Sequence, residues 1–243
     1  MIEAPPRKPP PSSPPPPPPL PRAVLFDAYG TLFDVYSVAL LAEQLFPGHG
    51  ERLSLLWRDK QIDYTRRLTT AGRYEPFWNL TRAGLRWSAK RLGLAMDDAT
   101  EAALMNQYRH LSAFPENRAV LTELKARGVT AGILSNGDPE MLDVAVKSAG
   151  FDGLLEHLIS VHSLRRFKTD PAAYALGPQT LKLPARDILF VSSNGWDAIG
   201  ATWHGYTTLW VNRAGLPLEE LSTTPTRIGS SLRDVLDFFP SSN

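Results

Sequence analysis

Five short apolar runs, at residues 23–26, 129–134, 158–161, 188–191 and 207–211, recur along the chain with helix-like segments between them. Runs of that length bounded by turn-formers read as buried strands, because a strand covered on both faces has no polar side to show. The segments between carry helix punctuation. Asp138-Pro139-Glu140 supplies a capping residue, a first-turn proline and a first-turn acid, and Gly150 marks that helix's end. Asp170-Pro171 opens a second helix in the same way, and a third, over 115–127, stops at Gly128. Inside the helix after Asp170, Gly177-Pro178 is expected to kink or end it, since proline has no N–H to donate. Strands alternating with helices pack as a parallel layer between helices, joined by right-handed crossovers. The sequence therefore predicts an α/β fold with a doubly wound, Rossmann-like parallel sheet.

Two stretches depart from this alternation. Between 36 and 114 there are only helical patterns, at 36–46, 51–68, 75–92 and 98–112, so this interval is expected to form an inserted α-helical cap. The core then comprises 22–35 and 115–243. Open parallel sheets bind ligands beyond the carboxyl ends of their strands. An insertion leaving from the end of the first strand lies over that place as a lid. The other departure is the start of the chain, where 12 of the first 21 residues are proline, six of them consecutive at 14–19. Such a segment favours solvated polyproline II, and 1–21 is read as a disordered tail. It lacks the apolar region of a signal peptide, so the expected location is the cytoplasm.

Charge and composition exclude several partners. A net charge of +1 gives no electrostatic reason for nucleic acid or an anionic membrane. No apolar run approaches the roughly 18 residues of a membrane span. The absence of cysteine removes disulfides, thiolate nucleophiles and Cys-ligated zinc. The five histidines show no metal-ligand spacing and read as surface or boundary residues.

Chemistry is therefore sought at the strand ends, and four of the five carry polar residues. The first strand runs into Asp27-Ala28-Tyr29-Gly30-Thr31, the second ends at Ser135-Asn136-Gly137, and Lys168 follows the third, six residues before Tyr174. The fourth ends at Ser192-Ser193-Asn194-Gly195-Trp196-Asp197. Each fragment alone is an ordinary turn or surface charge, but together they gather Asp27, Ser135, Lys168 and Asp197 at one sheet edge. A carboxylate there is kept ionised by Lys168 and loop amides, and serves as nucleophile, base or metal ligand. The cap adds Arg58, which its spacing to Leu55 and Ile62 places on an apolar helix face. An arginine on such a face meets an anion or forms a structural ion pair.

Four segments together resemble the L-2-haloacid dehalogenases of the haloacid dehalogenase superfamily. They are Asp27-Ala28-Tyr29-Gly30-Thr31-Leu32-Phe33-Asp34, Leu56-Trp57-Arg58-Asp59-Lys60-Gln61, Ile133-Leu134-Ser135-Asn136-Gly137 and Phe190-Val191-Ser192-Ser193-Asn194-Gly195-Trp196-Asp197. The resemblance spans nearly everything but the tail. It implies hydrolysis of short 2-haloacids, of the L enantiomer, with water as the second substrate and no metal or organic cofactor. Asp27 matches the nucleophile, which forms an ester later cleaved by water to an inverted 2-hydroxy acid. Thr31, Ser135, Lys168, Tyr174, Ser192, Asn194 and Asp197 match the positions around that carboxylate. Among them, Ser135 and Lys168 match the holders of the nucleophile and the substrate carboxylate, and Asn194 and Asp197 match those that position or activate the water. Arg58 and Asn136 match the halide cradle, with Tyr29, Ile62, Phe77 and Trp196 as its apolar wall. A homodimer is implied as well.

Two rival readings differ at stated positions. Magnesium-dependent phosphatases or phosphonate hydrolases of the superfamily carry a second aspartate two residues after the nucleophile, where this chain has Tyr29, and a further carboxylate where it has Ser192, Ser193 and Asn194. A non-catalytic binding member would show a damaged constellation, and every matched position holds a suitable residue. Two local departures remain. Thr169 follows Lys168 where many relatives have proline, and Asp59 is charged but expected to face solvent.

Overall fold

The first strand, β1 (Ala23–Phe26), is buried along its whole length and lies at the middle of the sheet. The computed structural model describes residues 20–240, so the expected tail over 1–21 lies outside the described residues except for Leu20 and Pro21. Five further strands complete the sheet: β2 (Thr130–Ser135), β3 (His157–Ser160), β4 (Ile188–Ser192), β5 (Thr207–Val211) and β6 (Arg227–Gly229). Their order is β3-β2-β1-β4-β5-β6 and every pairing is parallel. The chain moves outward from β1 through β2 to β3, then returns to start β4 on the other side of β1. That reversal opens a crevice at the carboxyl ends of β1 and β4, the place where such sheets take ligands. Phe26 stands level with Ile133 and Val191, so the three following loops emerge at one edge.

Helices α1 (Ala39–Leu45), α2 (Gly50–Thr70), α3 (Phe77–Arg91) and α4 (Asp98–Arg109) form the cap, and α5 (Asn117–Ala126), α6 (Pro139–Ser148), α7 (Pro171–Leu181) and α8 (Gly195–Trp203) flank the sheet. One buried apolar cluster runs from the sheet into the cap through Tyr29, Phe33, Phe77 and Tyr108.

The structure corrects several expected elements. β3 begins one residue early and gives way to a 3-10 turn at Val161–Leu164. The segment at 36–46 opens with a 3-10 turn, Val35–Val38. β6 went unread because it is three residues long and largely exposed, with no apolar run. Of the kink or end expected at Gly177-Pro178, the end does not occur, since α7 passes through Pro178. The carbonyl left without its helical donor by that proline, that of Tyr174, accepts instead from the Tyr206 hydroxyl at 2.5 Å.

Candidate active site

Asp27 follows β1 directly, its N–H extending the ladder to the carbonyl of Val191 at 2.9 Å. The loop turns at Gly30, whose φ of +94° favours glycine, and brings Thr31 back beneath the acid. Thr31 Oγ1 accepts from the N–H of Ser193 at 2.8 Å and donates to Asp27 Oδ2 at 3.2 Å. The same oxygen accepts from Asn194 Nδ2 at 2.8 Å, while Oδ1 accepts from Lys168 Nζ at 3.2 Å. Both carboxylate oxygens of this residue, which is only 6% exposed, are thus held by donors.

Lys168 lies between two acids. Its ammonium also donates to Asp197 Oδ2 at 2.9 Å, and the side chains of both residues are fully buried. Asp197 Oδ1 accepts from the Tyr174 hydroxyl at 2.8 Å. Burial pushes the Asp197 carboxyl up to about 6, with Asp27 adding to the rise and Lys168 opposing it. Burial, and then Asp197 beside it, holds the Tyr174 phenol well above its ordinary range, so it remains a donor. Ser192 and Ser135 each close the turn after their strand, accepting from the N–H of Asn194 at 3.1 Å and of Gly137 at 3.0 Å. The peptide between Lys168 and Thr169 is cis.

Above Asp27 is a small cavity bounded by Tyr29, Ile62, Phe77 and Trp196 and by the polar groups of Arg58, Ser135 and Asn136. Asn136 Oδ1 accepts from the N–H of Lys168 at 2.9 Å, which leaves its Nδ2 as the end that can donate to a guest. Gly137 lets Tyr29 close on this turn, for a Cβ there would lie 2.6 Å from the tyrosine ring. Arg58 is 7% exposed and is oriented by three acceptors: Gln61 Oε1 at 2.8 Å, the Tyr29 carbonyl at 2.9 Å and Asn194 Oδ1 at 3.3 Å. Its face differs from the expected one. Leu55 is 45% exposed, and the buried stripe of α2 runs instead through Trp57, Arg58, Gln61 and Thr65. Asp59 faces solvent as its helix position implies.

The predicted residues therefore assemble in two tiers, with Thr31, Lys168, Tyr174, Ser192, Asn194 and Asp197 around or behind Asp27 and the remainder lining the cavity. Several supporting residues had gone unread. Gln61 is held by Thr81 Oγ1 and Tyr108 behind Arg58, and Asn117 donates to the carbonyls of Thr31 and Leu32 under the first loop. Arg213 donates to Ser193 Oγ at 2.6 Å from beyond β5. Gln61, three residues from Arg58, carried a readable signal, since residues so spaced share a helix face. Tyr108, Asn117 and Arg213 carried none, because their partners are distant in sequence.

Among the described residues, two carboxylates, Asp27 and Asp197, pair with the Lys168 ammonium, which bridges them. No group of three or more His, Asp or Glu suited to a metal occurs among the described residues. Nor is any described helix long and apolar enough to cross a membrane.

The family model of haloacid dehalogenase-like hydrolases matches residues 21–205. Among curated proteins, the chain is 42% identical over 215 residues to the (S)-2-haloacid dehalogenase H-109 of Pseudomonas putida, covering 88% of this chain and 96% of that one. It is 43% identical over 218 residues to the (S)-2-haloacid dehalogenase of Pseudomonas sp. strain YL, covering 90% and 94%. Its fold superposes on the crystal structure of an L-2-haloacid dehalogenase, RSc1362, with a TM-score of 0.89 at 58% identity, over 90% of this chain and 99% of that one. The L-2-haloacid dehalogenase of Xanthobacter autotrophicus with chloropropionic acid covalently bound is 35% identical, with a TM-score of 0.83 over 89% and 97%.

Proposed function

The chain belongs to the haloacid dehalogenase-like hydrolases, among the (S)-2-haloacid dehalogenases, and from that premise we propose how its own residues cleave the carbon–halogen bond of a short 2-haloacid. An oxygen of Asp27 attacks C2 from the side opposite the halogen. The C–O bond forms as the carbon–halogen bond breaks, and the halide leaves with its electron pair. Water, positioned by Asn194 and Asp197, then adds to the ester carbonyl of Asp27. The bond between that carbonyl carbon and the substrate oxygen breaks while the C2–oxygen bond survives. One proton of the water passes to the departing oxygen and the other through Asp197 to solvent, so a 2-hydroxy acid of inverted configuration departs and the Asp27 carboxylate is restored.

The observation that carries this reading is the buried Asp27 carboxylate, gripped at both oxygens beneath a cavity walled by rings and one guanidinium. A departing halide needs no proton. Arg58 and Asn136 Nδ2 stabilise it, while Tyr29 stands where a phosphatase needs an acid for its alkoxide. Lys168 offsets repulsion between the substrate's carboxylate and the nucleophile, and alignment under a closed cap contributes up to about 7–11 kcal/mol. With two carboxylates already bridged by an ammonium, no step is assigned to a metal. A cytoplasmic homodimer belongs to the same reading.

One turnover of (S)-2-chloropropionate in H₂¹⁸O tests it. The label is expected in the Asp27 peptide, with unlabelled oxygen in the lactate. Label passing straight into product, or activity lost to EDTA and restored by magnesium, overturns the reading.

The pH dependence follows from Asp197. Its carboxyl is raised to about 6, so protonation sets in well above the range of a free aspartate. The kcat for halide release is expected to fall on the acid side with an apparent pKa near 6, and a limb near 4 would contradict the role of Asp197. Stability moves the opposite way: between about 4 and 6 the folded state holds a proton that the unfolded chain has lost. This group's contribution therefore declines as pH rises through that window.

A further inference from the structure

The cavity above Asp27 encloses about 10 Å³, room for about one water molecule, so a haloacid reaches it only when a wall moves. Beside it is a second cavity of about 410 Å³, lined by Pro76, Trp78, Arg109, Asp138, Met141 and His162. The two share a partition. Phe77 faces the small cavity while its chain neighbours face the large one, and Asn136 and Asp138 divide in the same way.

Asp138 fastens that partition. Read locally, it is the N-cap of α6, yet its side chain makes no bond to its own helix. Its carboxylate, 8% exposed, crosses to the cap and accepts from the N–H groups of Phe77 at 3.0 Å and Trp78 at 2.8 Å. Those are the first two amides of α3, whose N-cap residue, Pro76, supplies no side-chain cap. A buried anion at a helix start satisfies orphan donors and meets the positive end of the helix dipole. His162 Nδ1 lies 3.1 Å from the same carboxylate and 2.9 Å from the Tyr74 oxygen.

Resting on the dehalogenase reading above, we propose that Asp138 is a positioning residue for the reaction. It pins the start of α3, and with it the Phe77 ring that walls the substrate cavity. Its release from the Phe77 and Trp78 amides is the movement that joins the outer cavity to the inner one. Asp138 thereby sets how large an acyl chain the closed site accepts. Arg109, stacked 4.7 Å over the Trp78 ring, lines the outer cavity together with Glu140, whose carboxylate lies 3.9 Å from it.

The test compares (S)-2-chloropropionate with the longer (S)-2-bromohexanoate in wild type and in Asp138→Ala, Asp138→Asn and His162→Ala. In Asp138→Ala, kcat on the short substrate is expected to fall about tenfold or more, while kcat/KM for the long one, relative to the short, rises about fivefold. Asp138→Asn keeps one acceptor and should fall between. His162→Ala, changed on the exposed side of the clasp, should move selectivity the same way by about twofold, and it decides the matter should the Asp138 variants not fold. Folded variants with unchanged selectivity, or with both substrates lowered by one factor, overturn the proposal. A wild type that releases no halide from either substrate overturns the dehalogenase reading instead.

Discussion

Asp27→Asn is expected to release no measurable halide, at least about 10⁴-fold below wild type, because the amide has neither the charge nor the basicity to displace a halide from carbon. The surroundings make the loss specific. Lys168 keeps its bond to Asp197, so the buried cation is not orphaned. Loss of the Asp27 charge also removes one of the causes that raise the Asp197 carboxyl, so that carboxyl should titrate lower in the variant. Halide titration, with intact mass to exclude deamidation back to aspartate, gives the first result. Carboxyl NMR gives the second. A folded variant with full turnover would remove Asp27 from the reaction.

Arg58→Ala is expected to lower kcat about 10³-fold, the loss seen when a preorganised donor to a developing anion is removed from a closed site. The loss should fall on the first half-reaction. Rapid quench should find slow esterification of Asp27, while hydrolysis of an ester already formed proceeds near the wild-type rate. Truncation also strips a donor from Gln61 Oε1, the Tyr29 carbonyl and Asn194 Oδ1, but the first two keep the Tyr108 hydroxyl and Asn194 Nδ2 as donors, so the cost of about 1–3 kcal/mol for an unpaired acceptor falls on Asn194 Oδ1. Arg58→Lys keeps the charge without the fork and should recover part of the rate but not the orientation. Equal slowing of both half-reactions would assign Arg58 to holding the cap rather than to the halide.

Much of this site was legible in the chain because its parts are local. Asp27, Ser135 and Ser192 each stand at or just past the end of a short apolar run, and a parallel sheet carries all such ends to one edge. The Arg58 face was misjudged. Leu55 suggested an apolar stripe, while the surface buried against α3 and α4 selects Trp57, Gln61 and Thr65. That the helix continues past Pro178 was not legible for a related reason, since the substitute donor comes from Tyr206, far along the chain.

The alternation of runs and helices, the break in it at 36–114 and the order of polar strand ends were determined by the sequence alone, because periodicity and turn chemistry act over a few residues. That Asp27 and Asp197 share Lys168, how far Asp197 is raised, and that Asp138 caps a helix in the other layer were decided only in three dimensions. The reason is physical: burial and hydrogen-bond satisfaction depend on what the fold brings near, and a side chain with two possible partners takes whichever donor would otherwise be left buried and unpaired.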